Sequence, residues 1–506
     1  MSNSSTISSY RKNSEIESAS HDAPLDHALE LLRQGNKLAS QEQFSDADKV
    51  FRAAASLPGG KAIWNFKSLG FCPTVFPDVS NIDAFWQQLD FGLDTALAER
   101  FDIDWRTLPA DGFIPHFNLS HQDRCYKDIR VKFACIFEPF FPQERPKQKS
   151  RQRYRIGFLV FSGHEGGFLR GTTGILRQLD RKRFEVVVLC PGSLVEQCRQ
   201  SIRCDDVTIV PLRGSFEQLV EQARDADCDL IYHWKAGSDP WGYFMPFARL
   251  APIQCTSYGT HGTSGIPAVD YFISSSFIEP NNAQQHYSER LLCMDAIPTY
   301  QQRRRLPENV TRDEFGLPEE GGIYFCPHRL AKYHPSFDSI FRQILERDPH
   351  GLLVLLTGRN TPGNDIFQER LQRNVGSSLS KRIICFPAFP VDQYLRLLSI
   401  STVVLDSPVY AGDLTLFDAF SFGVPEVTLS GPLYVQNFAT GIYRRMGLDD
   451  LPCQTTTQYI DLAVRLGTEP DYRQDVSRRI LERNHLIFED RDTVREHERL
   501  FEVMLG

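Results

Sequence analysis

The stretch Ile156-Gly-Phe-Leu-Val-Phe-Ser-Gly-His-Glu-Gly-Gly167 decides the fold of this chain. Its first half is a continuous apolar run, the pattern of a parallel strand that is buried on both faces. Its second half is a glycine-rich turn, and an amphipathic stretch follows it. A strand, a glycine turn and a helix in this order are typical of the start of a doubly wound α/β domain.

Strands and helices continue to alternate in two blocks. The predicted strands after the first lie at Phe184–Cys190, Val207–Val210, Leu230–Tyr232, the start of Ala251–Tyr271, Ile323–Cys326, Gly351–Leu356, Arg382–Cys385, Val403–Leu405 and Glu426–Leu429. The alternation pauses near residues 300–315, which predicts a hinge between two α/β domains. Because ligands of such sheets bind at the carboxyl ends of the strands, we expect a site in the cleft between the domains.

The chain before residue 150 has helical apolar spacing and no visible chemistry. Residues 28–58 carry the pattern of one tetratricopeptide-like hairpin, which cannot bury its own apolar face and must pack on something else. The predicted boundaries are a disordered tail at 1–24, a helical region at 25–150, and α/β domains at 151–305 and 306–506.

Composition excludes several classes of protein. No run of eighteen apolar residues is present, and the Ser-rich N-terminus lacks the apolar core of a signal peptide. The 12 cysteines are scattered singly, without zinc-site spacing, so we expect reduced thiols and a cytoplasmic location. The net charge of −8 argues against nucleic-acid binding. Two Asp-x-Asp pairs, at Asp102 and Asp225, lie away from the expected site, so we predict no metal.

The stretch Leu405-Asp-Ser-Pro-Val-Tyr-Ala-Gly-Asp-Leu-Thr-Leu-Phe-Asp-Ala-Phe-Ser-Phe-Gly-Val-Pro-Glu-Val-Thr428 carries the most chemistry. A glycine turn at a helix start exposes backbone amides and the positive helix end, which suits a diphosphate. Asp418 lies one helical turn further and could hold ribose hydroxyls. The alternative is an ordinary α/β turn in which Asp413 is the N-cap.

Three further segments point to the same cleft. Ala251–Tyr271 ends in a glycine-rich loop of small hydroxylated residues, and Tyr324–Pro335 ends a strand with a cationic cluster. The first strand–helix loop places His164 among glycines, where a backbone can approach a ligand closely.

These segments resemble the protein O-linked N-acetylglucosamine transferase/SPINDLY family, and its bacterial SPINDLY-like branch is the nearest. The resemblance covers roughly residues 150–500 and includes Gly441-Ile-Tyr-Arg-Arg-Met-Gly-Leu448. It implies the GT-B fold, with the acceptor on the first Rossmann-like domain and the nucleotide sugar on the second. It also implies inverting, metal-independent transfer to Ser or Thr of a protein acceptor, with UDP-N-acetylglucosamine as the expected donor and no cofactor.

The resemblance assigns roles on the nucleotide side by position. Lys332 would neutralise the departing diphosphate, within a cationic cluster that includes Arg329. Thr415 and the amides around Gly412 would bind the phosphate oxygens, and Asp418 the ribose. Preorganised positive charge at this place suits a reaction in which negative charge builds up on phosphate.

The remaining roles concern the base and the acceptor. Tyr394 matches the position whose ring stacks on the nucleotide base, and the backbone near Phe389 would read the edge of the base. His164 would act as base or positioning group for the acceptor hydroxyl. Thr263 and Ser264 would line the sugar or acceptor pocket.

Two positions depart from the family pattern. Asp413 stands where His or Asn is usual, and His261 where proline is common. A carboxylate about 4 Å from a phosphate charge repels it by about 4 kcal/mol at an effective dielectric near 20. As an N-cap, Asp413 would also compete for the amides that the phosphate needs.

Other functions stay open on these grounds. The chain could be a non-catalytic binding or scaffold protein in which Asp413 has disabled the phosphate site. It could also be a transferase that uses GDP-fucose or UDP-glucose with a different acceptor, such as an asparagine amide or a glycan. A sugar-nucleotide epimerase ranks last, because no clear pair of acid/base carboxylates is visible.

Overall fold

The computed structural model describes residues 23–142, 144–358 and 361–506, so the predicted disordered tail lies almost wholly outside the described residues. Two parallel sheets with flanking helices follow a helical N-terminal region, and the predicted fold class is confirmed. Among the described residues, no helix is both long enough and apolar enough to cross a membrane.

The first α/β domain has a seven-stranded sheet within the described ranges, in the order β3-β2-β1-β4-β5-β6-β7, with parallel neighbours throughout. Its strands are β1 (Tyr154–Leu159), β2 (Phe184–Pro191), β3 (Val207–Leu212), β4 (Leu230–His233), β5 (Ile253–Thr256), β6 (Tyr271–Ser275) and β7 (Arg290–Met294). The last two strands were not predicted from the sequence. Numbered after the five helices of the N-terminal region, the helices of this domain are α6 (Glu165–Gln178), α7 (Val195–Ile202), α8 (Phe216–Asp225) and α9 (Pro240–Phe244).

The second domain has a five-stranded parallel sheet over the residues described, in the order β10-β9-β8-β11-β12. Its strands are β8 (Ile323–Cys326), β9 (Leu352–Leu356), β10 (Ile383–Phe386), β11 (Val403–Leu405) and β12 (Glu426–Val427). Its helices are α10 (Pro335–Arg347), α11 (Asn364–Val375), α12 (Ser377–Ser380), α13 (Val391–Ser399), α14 (Leu414–Phe422), α15 (Phe438–Arg445), α16 (Thr456–Thr468), α17 (Pro470–Arg483) and α18 (Arg491–Leu505).

The helical region contains α1 (Ala23–Ser40), α2 (Phe44–Ser56), α3 (Val79–Ala98), α4 (Leu108–Asp111) and α5 (Lys127–Phe137). The first two form the expected hairpin, in which Phe51 packs against the backbone at Gly35 and stacks on Phe71 with ring centroids 5.9 Å apart. The hairpin therefore buries its apolar face on the segment that follows it. The region as a whole shares one hydrophobic core with a face of the first sheet.

Several contacts join the parts of the chain. The C-terminal helix α18 returns to the first domain, where Phe501 packs on Phe158 with ring centroids 6.2 Å apart. The helical region also reaches the second domain, because Arg370 donates to the carbonyl of Phe76 at 2.8 Å. Helix α18, which the predicted boundaries assign to the second domain, thus packs on the first, and the helical region contacts both.

Candidate functional site

Side chains from both domains meet where the carboxyl ends of the two sheets face each other. His164 follows β1, Lys235 follows β4 and His261 follows β5 in the first domain. Lys332 follows β8 in the second domain, and the turn 406–413 connects β11 to α14. This cleft brings together His164, His261 and Lys332, which the sequence analysis placed at the site, with Lys235, which it did not.

Lys332 is the central cation of the second domain. Its ammonium lies 4.4 Å from the ring centroid of Tyr410 and donates to the carbonyl of Ala411 at 3.2 Å. Burial lowers the pKa of Lys332, and the carboxylates of Asp413 and Asp406 act against that shift. A partly desolvated ammonium of this kind interacts more strongly with an incoming anion than one in bulk water does. Arg329 is exposed at the same strand end and adds to the positive potential.

Two of the amides predicted to bind phosphate are already occupied by carboxylates. Gly412 N–H donates to Asp406 Oδ1 at 2.6 Å, and Leu414 N–H donates to Asp413 Oδ1 at 2.5 Å. Asp413 is the N-cap of α14, as the alternative interpretation expected. The hydroxyl of Thr415 lies next to Gly412, 2.7 Å from where a Cβ at that glycine would be. The start of α14 therefore has amide donors and the Thr415 hydroxyl close together, but two acidic side chains of the chain itself accept from two of those amides.

A second buried acid lies beneath this turn. Glu426 is 1% exposed, and neither of its carboxylate oxygens has a partner among the described residues. Burial raises the pKa of Asp406 to about 7, and burial together with the charge of Asp406 raises the pKa of Glu426 well above its usual value. The raised pKa of Glu426 keeps its carboxyl group protonated near neutral pH, which limits the negative charge under the phosphate position.

Asp418 takes part in a cross-domain ion pair. Arg170 of α6 donates to both of its carboxylate oxygens, at 2.6 and 3.2 Å, and also to the carbonyl of Leu414. Arg304 donates to Asp418 Oδ1 at 3.1 Å. The carboxylate predicted to hold the ribose is thus already paired with two guanidinium groups, one from helix α6 of the first domain and one from the segment that connects the two domains.

Tyr394 and Phe389, the residues predicted at the nucleotide base, follow strand β10 in the chain. The Tyr394 ring is half-buried, with its centroid 6.3 Å from that of Phe325, and its hydroxyl has no partner in the described part of the chain. Phe389 packs on Phe386 with centroids 5.2 Å apart. Burial and the charge of Asp418 raise the pKa of Tyr394, which places this ring near the predicted ribose carboxylate.

The first domain contributes a histidine–carboxylate pair. His164 Nε2 lies 3.1 Å from Asp239 Oδ2, and Lys235 lines the same small space. Burial lowers the pKa of Lys235, while the charges of Asp413 and Asp239 raise it. Lys235 therefore links the His164 pair to the charged groups at the start of α14.

An aromatic cluster connects the helical region to this cleft. The His121 ring lies 4.4 Å from Tyr410 and 5.0 Å from Phe117, and the His261 ring lies 4.9 Å from Phe117 and 5.4 Å from Tyr410. Burial lowers the pKa of both histidines well below the usual value, so both are neutral imidazoles. The departure at His261 thus adds a neutral ring beside Lys235 and Lys332.

Thr263 and Ser264 lie below the cleft surface. The Thr263 hydroxyl donates to Glu289 Oε2 at 2.6 Å, and the Ser264 backbone amide and hydroxyl both bond to Oε1 of the same glutamate. Both residues are buried. Their hydroxyls therefore hold a buried carboxylate and the glycine loop in place, and the predicted role in the sugar or acceptor pocket gains no geometric support.

Several residues at the site, among them Lys235, Arg170, Asp239 and His121, were not identified from the sequence. Lys235 follows a predicted strand directly, so its position at a strand end was a usable signal. No local signal marked the other three. Arg170 and Asp239 each contact a partner more than seventy residues away in the sequence, and His121 lies in the helical region, which showed no chemistry. The two Asp-x-Asp pairs form surface ion pairs, Asp104 with Arg106 and Asp227 with Lys149.

Comparison with known proteins agrees with the resemblance seen in the sequence. Residues 299–491 match the model of glycosyl transferase family 41. A probable UDP-N-acetylglucosamine–peptide N-acetylglucosaminyltransferase SPINDLY from Solanum lycopersicum is 26% identical over 235 residues, which are 44% of this chain and 24% of that protein. The corresponding SEC protein of Arabidopsis thaliana is 29% identical over 186 residues, which are 35% of this chain and 19% of the relative. The chain thus spans about a quarter of the length of the curated relatives it matches.

Among solved structures, a lysine-to-methionine variant of an O-GlcNAc transferase from Thermobaculum terrenum superposes with a TM-score of 0.67 at 17% identity, covering 96% of this chain and 98% of that one. This likeness extends over the helical region as well as both sheets, and it confirms the GT-B architecture. The predicted resemblance to the O-linked N-acetylglucosamine transferase/SPINDLY family is confirmed.

Proposed function

We propose that this chain is an inverting glycosyltransferase that moves a sugar from a nucleotide donor, with UDP-N-acetylglucosamine as the expected donor, to Ser or Thr of a protein. The observation that carries the proposal is the position of Lys332. It lies buried at the end of β8, against the turn that starts α14, within the region that matches glycosyl transferase family 41.

The chemistry of the cleft supports a diphosphate leaving group. Expulsion of a diphosphate from the anomeric carbon moves charge onto phosphate oxygens, and a desolvated ammonium beside a helix start stabilises that charge. Lys332 and Lys235 provide two such cations from opposite domains. The proposal therefore requires no metal, because protein cations neutralise the leaving group.

The acceptor side has a base in a suitable place. His164 lies at the end of β1 in the domain opposite the proposed nucleotide site. A neutral imidazole can take the proton of an acceptor hydroxyl as the hydroxyl attacks. We include a cytoplasmic location in the proposal, since each of the twelve cysteines is a free thiol.

A specific observation also favours a second function. Asp413 and Asp406 occupy amides that a phosphate needs, which suits a binding or scaffold protein that no longer turns over a donor. Turnover distinguishes the two functions, because only a transferase releases UDP from UDP-N-acetylglucosamine. The test is the rate of UDP release, with and without acceptor peptides, for the unmodified chain and for Lys332→Met. Release that requires Lys332 supports the transferase, and binding without release supports the scaffold.

Donor identity is tested on the same protein. In a panel of UDP-N-acetylglucosamine, UDP-glucose and GDP-fucose, the first two share a base and differ in the sugar, so they compare the sugars alone. The proposal expects a preference for both UDP donors over GDP-fucose. A preference for GDP-fucose would replace the proposed donor.

A further inference from the structure

We propose that Asp239 is a positioning residue for the transfer reaction, whose carboxylate fixes His164 in the tautomer that leaves Nδ1 free of hydrogen to accept the acceptor proton. The chemical part of this inference rests on the proposed function. The tautomer is a property of the folded chain and can be measured without turnover.

The orientation of Asp239 is set by the backbone. Asp239 is the N-cap of α9, and its Oδ1 accepts from Gly242 N–H at 2.8 Å. Its other oxygen, Oδ2, lies 3.1 Å from His164 Nε2. The Asp239 side chain is 21% exposed and the His164 side chain is 13% exposed, so solvent competes little for this contact. Each carboxylate oxygen therefore has its own partner, and the cap fixes the direction of the oxygen that faces the imidazole.

This contact decides which ring nitrogen carries the hydrogen. A carboxylate only accepts hydrogen bonds, so the Nε2 of a neutral His164 must donate. The hydrogen of a neutral imidazole is then on Nε2, and Nδ1 has the lone pair. A base acts through its lone pair, which means that Nδ1 is the atom that takes the proton.

The charges around His164 make this support necessary. His164 is itself the N-cap of α6, and the positive end of a helix disfavours an imidazolium. Lys235 lines the same space and adds a second positive charge, and the neighbouring His233 is buried with a pKa lowered to about 4, so it is neutral. Glu165 has a carboxylate that accepts from Gly163 N–H at 2.6 Å. Asp239 is the carboxylate in direct contact with the ring, and it offsets the charge that the ring gains.

The step balances with these groups alone. The acceptor oxygen bonds to the anomeric carbon while the bond from that carbon to the diphosphate oxygen breaks, and the bonding pair leaves with the diphosphate. The hydroxyl proton moves to His164 Nδ1. The hydrogen on Nε2 stays there and remains bonded to Asp239, which does not itself become protonated.

The decisive variant is Asp239→Asn. Asn is as good an N-cap as Asp, so the bond from Gly242 to the Oδ1 oxygen and the start of α9 are retained. The amide nitrogen takes the place of Oδ2 and can only donate, which forces His164 Nε2 to accept and moves the ring hydrogen to Nδ1. We expect kcat to fall by about a hundredfold or more, as for loss of a general base. The dissociation constant of UDP should stay unchanged.

The tautomer is read directly from ¹⁵N chemical shifts of labelled histidine. The chain has 13 histidines, and the His164→Gln variant identifies the resonance of His164 by its loss. We expect the Nε2–H form in the unmodified protein and the Nδ1–H form in Asp239→Asn. The matched control is Asp78→Asn, which replaces an exposed N-cap aspartate at α3 and should keep both the activity and the tautomer.

An Nδ1–H tautomer of His164 in the unmodified protein overturns the inference. A normal kcat in Asp239→Asn also overturns it if the tautomer of His164 has changed in that variant. If the unmodified protein turns over no donor in the panel, the proposed function fails. In that case a tautomer that changes as expected still supports the positioning of His164 by Asp239, and one that does not change overturns it.

Discussion

Replacement of Asp413 by asparagine should strengthen nucleotide binding. The Asp413 carboxylate accepts from Leu414 N–H at 2.5 Å, which places it beside an amide predicted to bind phosphate. The charge of Asp413 also acts against the lowering by burial of the pKa of Lys332 and of Lys235, so this carboxylate lies near both cations of the site. Asn keeps the helix cap and removes only the negative charge.

The size of the effect follows from Coulomb's law. A carboxylate and a phosphate charge about 4 Å apart repel by about 4 kcal/mol at an effective dielectric near 20. Lys332 and Lys235 cancel part of this repulsion, and solvent screens more, since Asp413 is only partly buried. If these effects remove two thirds of it, about 1.4 kcal/mol remains, which is a tenfold change in Kd.

The assay is calorimetric titration of UDP into the unmodified protein, Asp413→Asn and the control Asp475→Asn. The control removes one negative charge from a surface pair with Arg478 on α17. We expect about a tenfold lower Kd for Asp413→Asn alone. An unchanged Kd would show that the carboxylate points away from the bound phosphate. A higher Kd would show that Asp413 is needed to hold the lysines in place.

Three further predictions concern other parts of the site. Lys332→Met should lower kcat by about a hundredfold or more, the usual loss when a donor to a developing anion is removed, and a normal kcat would refute its role. Arg170→Met should lower the Kd of UDP by about threefold to tenfold, because the ribose no longer competes with Arg170 for Asp418; a calorimetric Kd that stays equal would show that the ion pair persists in the complex. Glu426→Gln should stabilise the protein increasingly as the pH rises above about 4.5, because the folded acid has a raised pKa and ionising it costs stability. Thermal unfolding from pH 4.5 to 8 measures the difference, and parallel curves would contradict it.

Much of the fold could be predicted from apolar runs. The strands Ile323–Cys326 and Val403–Leu405 coincide with the predicted ones because each is a short apolar segment next to a turn. Strand β6 was missed because it ends in Ser274 and Ser275, whose polar side chains interrupt the apolar run that is expected of a buried strand. Strand β7 begins with the exposed Arg290 and lies at the sheet edge, where burial constrains the sequence less.

The candidate site was predictable only in part, for a physical reason. Residues at strand ends, such as His164 and Lys332, can be found because the sheet puts strand ends at one edge. Contacts such as Arg170 with Asp418 depend on how two domains pack, and no local pattern encodes that distance. Contacts within one domain can be hidden too, since the Thr263 hydroxyl bonds to Glu289, twenty-six residues further along the chain.

The most direct test of nucleotide-sugar binding is calorimetric titration of the unmodified chain with UDP, GDP and UDP-N-acetylglucosamine, repeated with Lys332→Met. We expect saturable binding of one UDP per chain, comparable binding of UDP-N-acetylglucosamine, and weaker binding of both by the Lys332 variant. If none of the three ligands binds, or if Lys332→Met binds them as tightly as the unmodified protein does, the cleft between the two domains is not the nucleotide-sugar site described above.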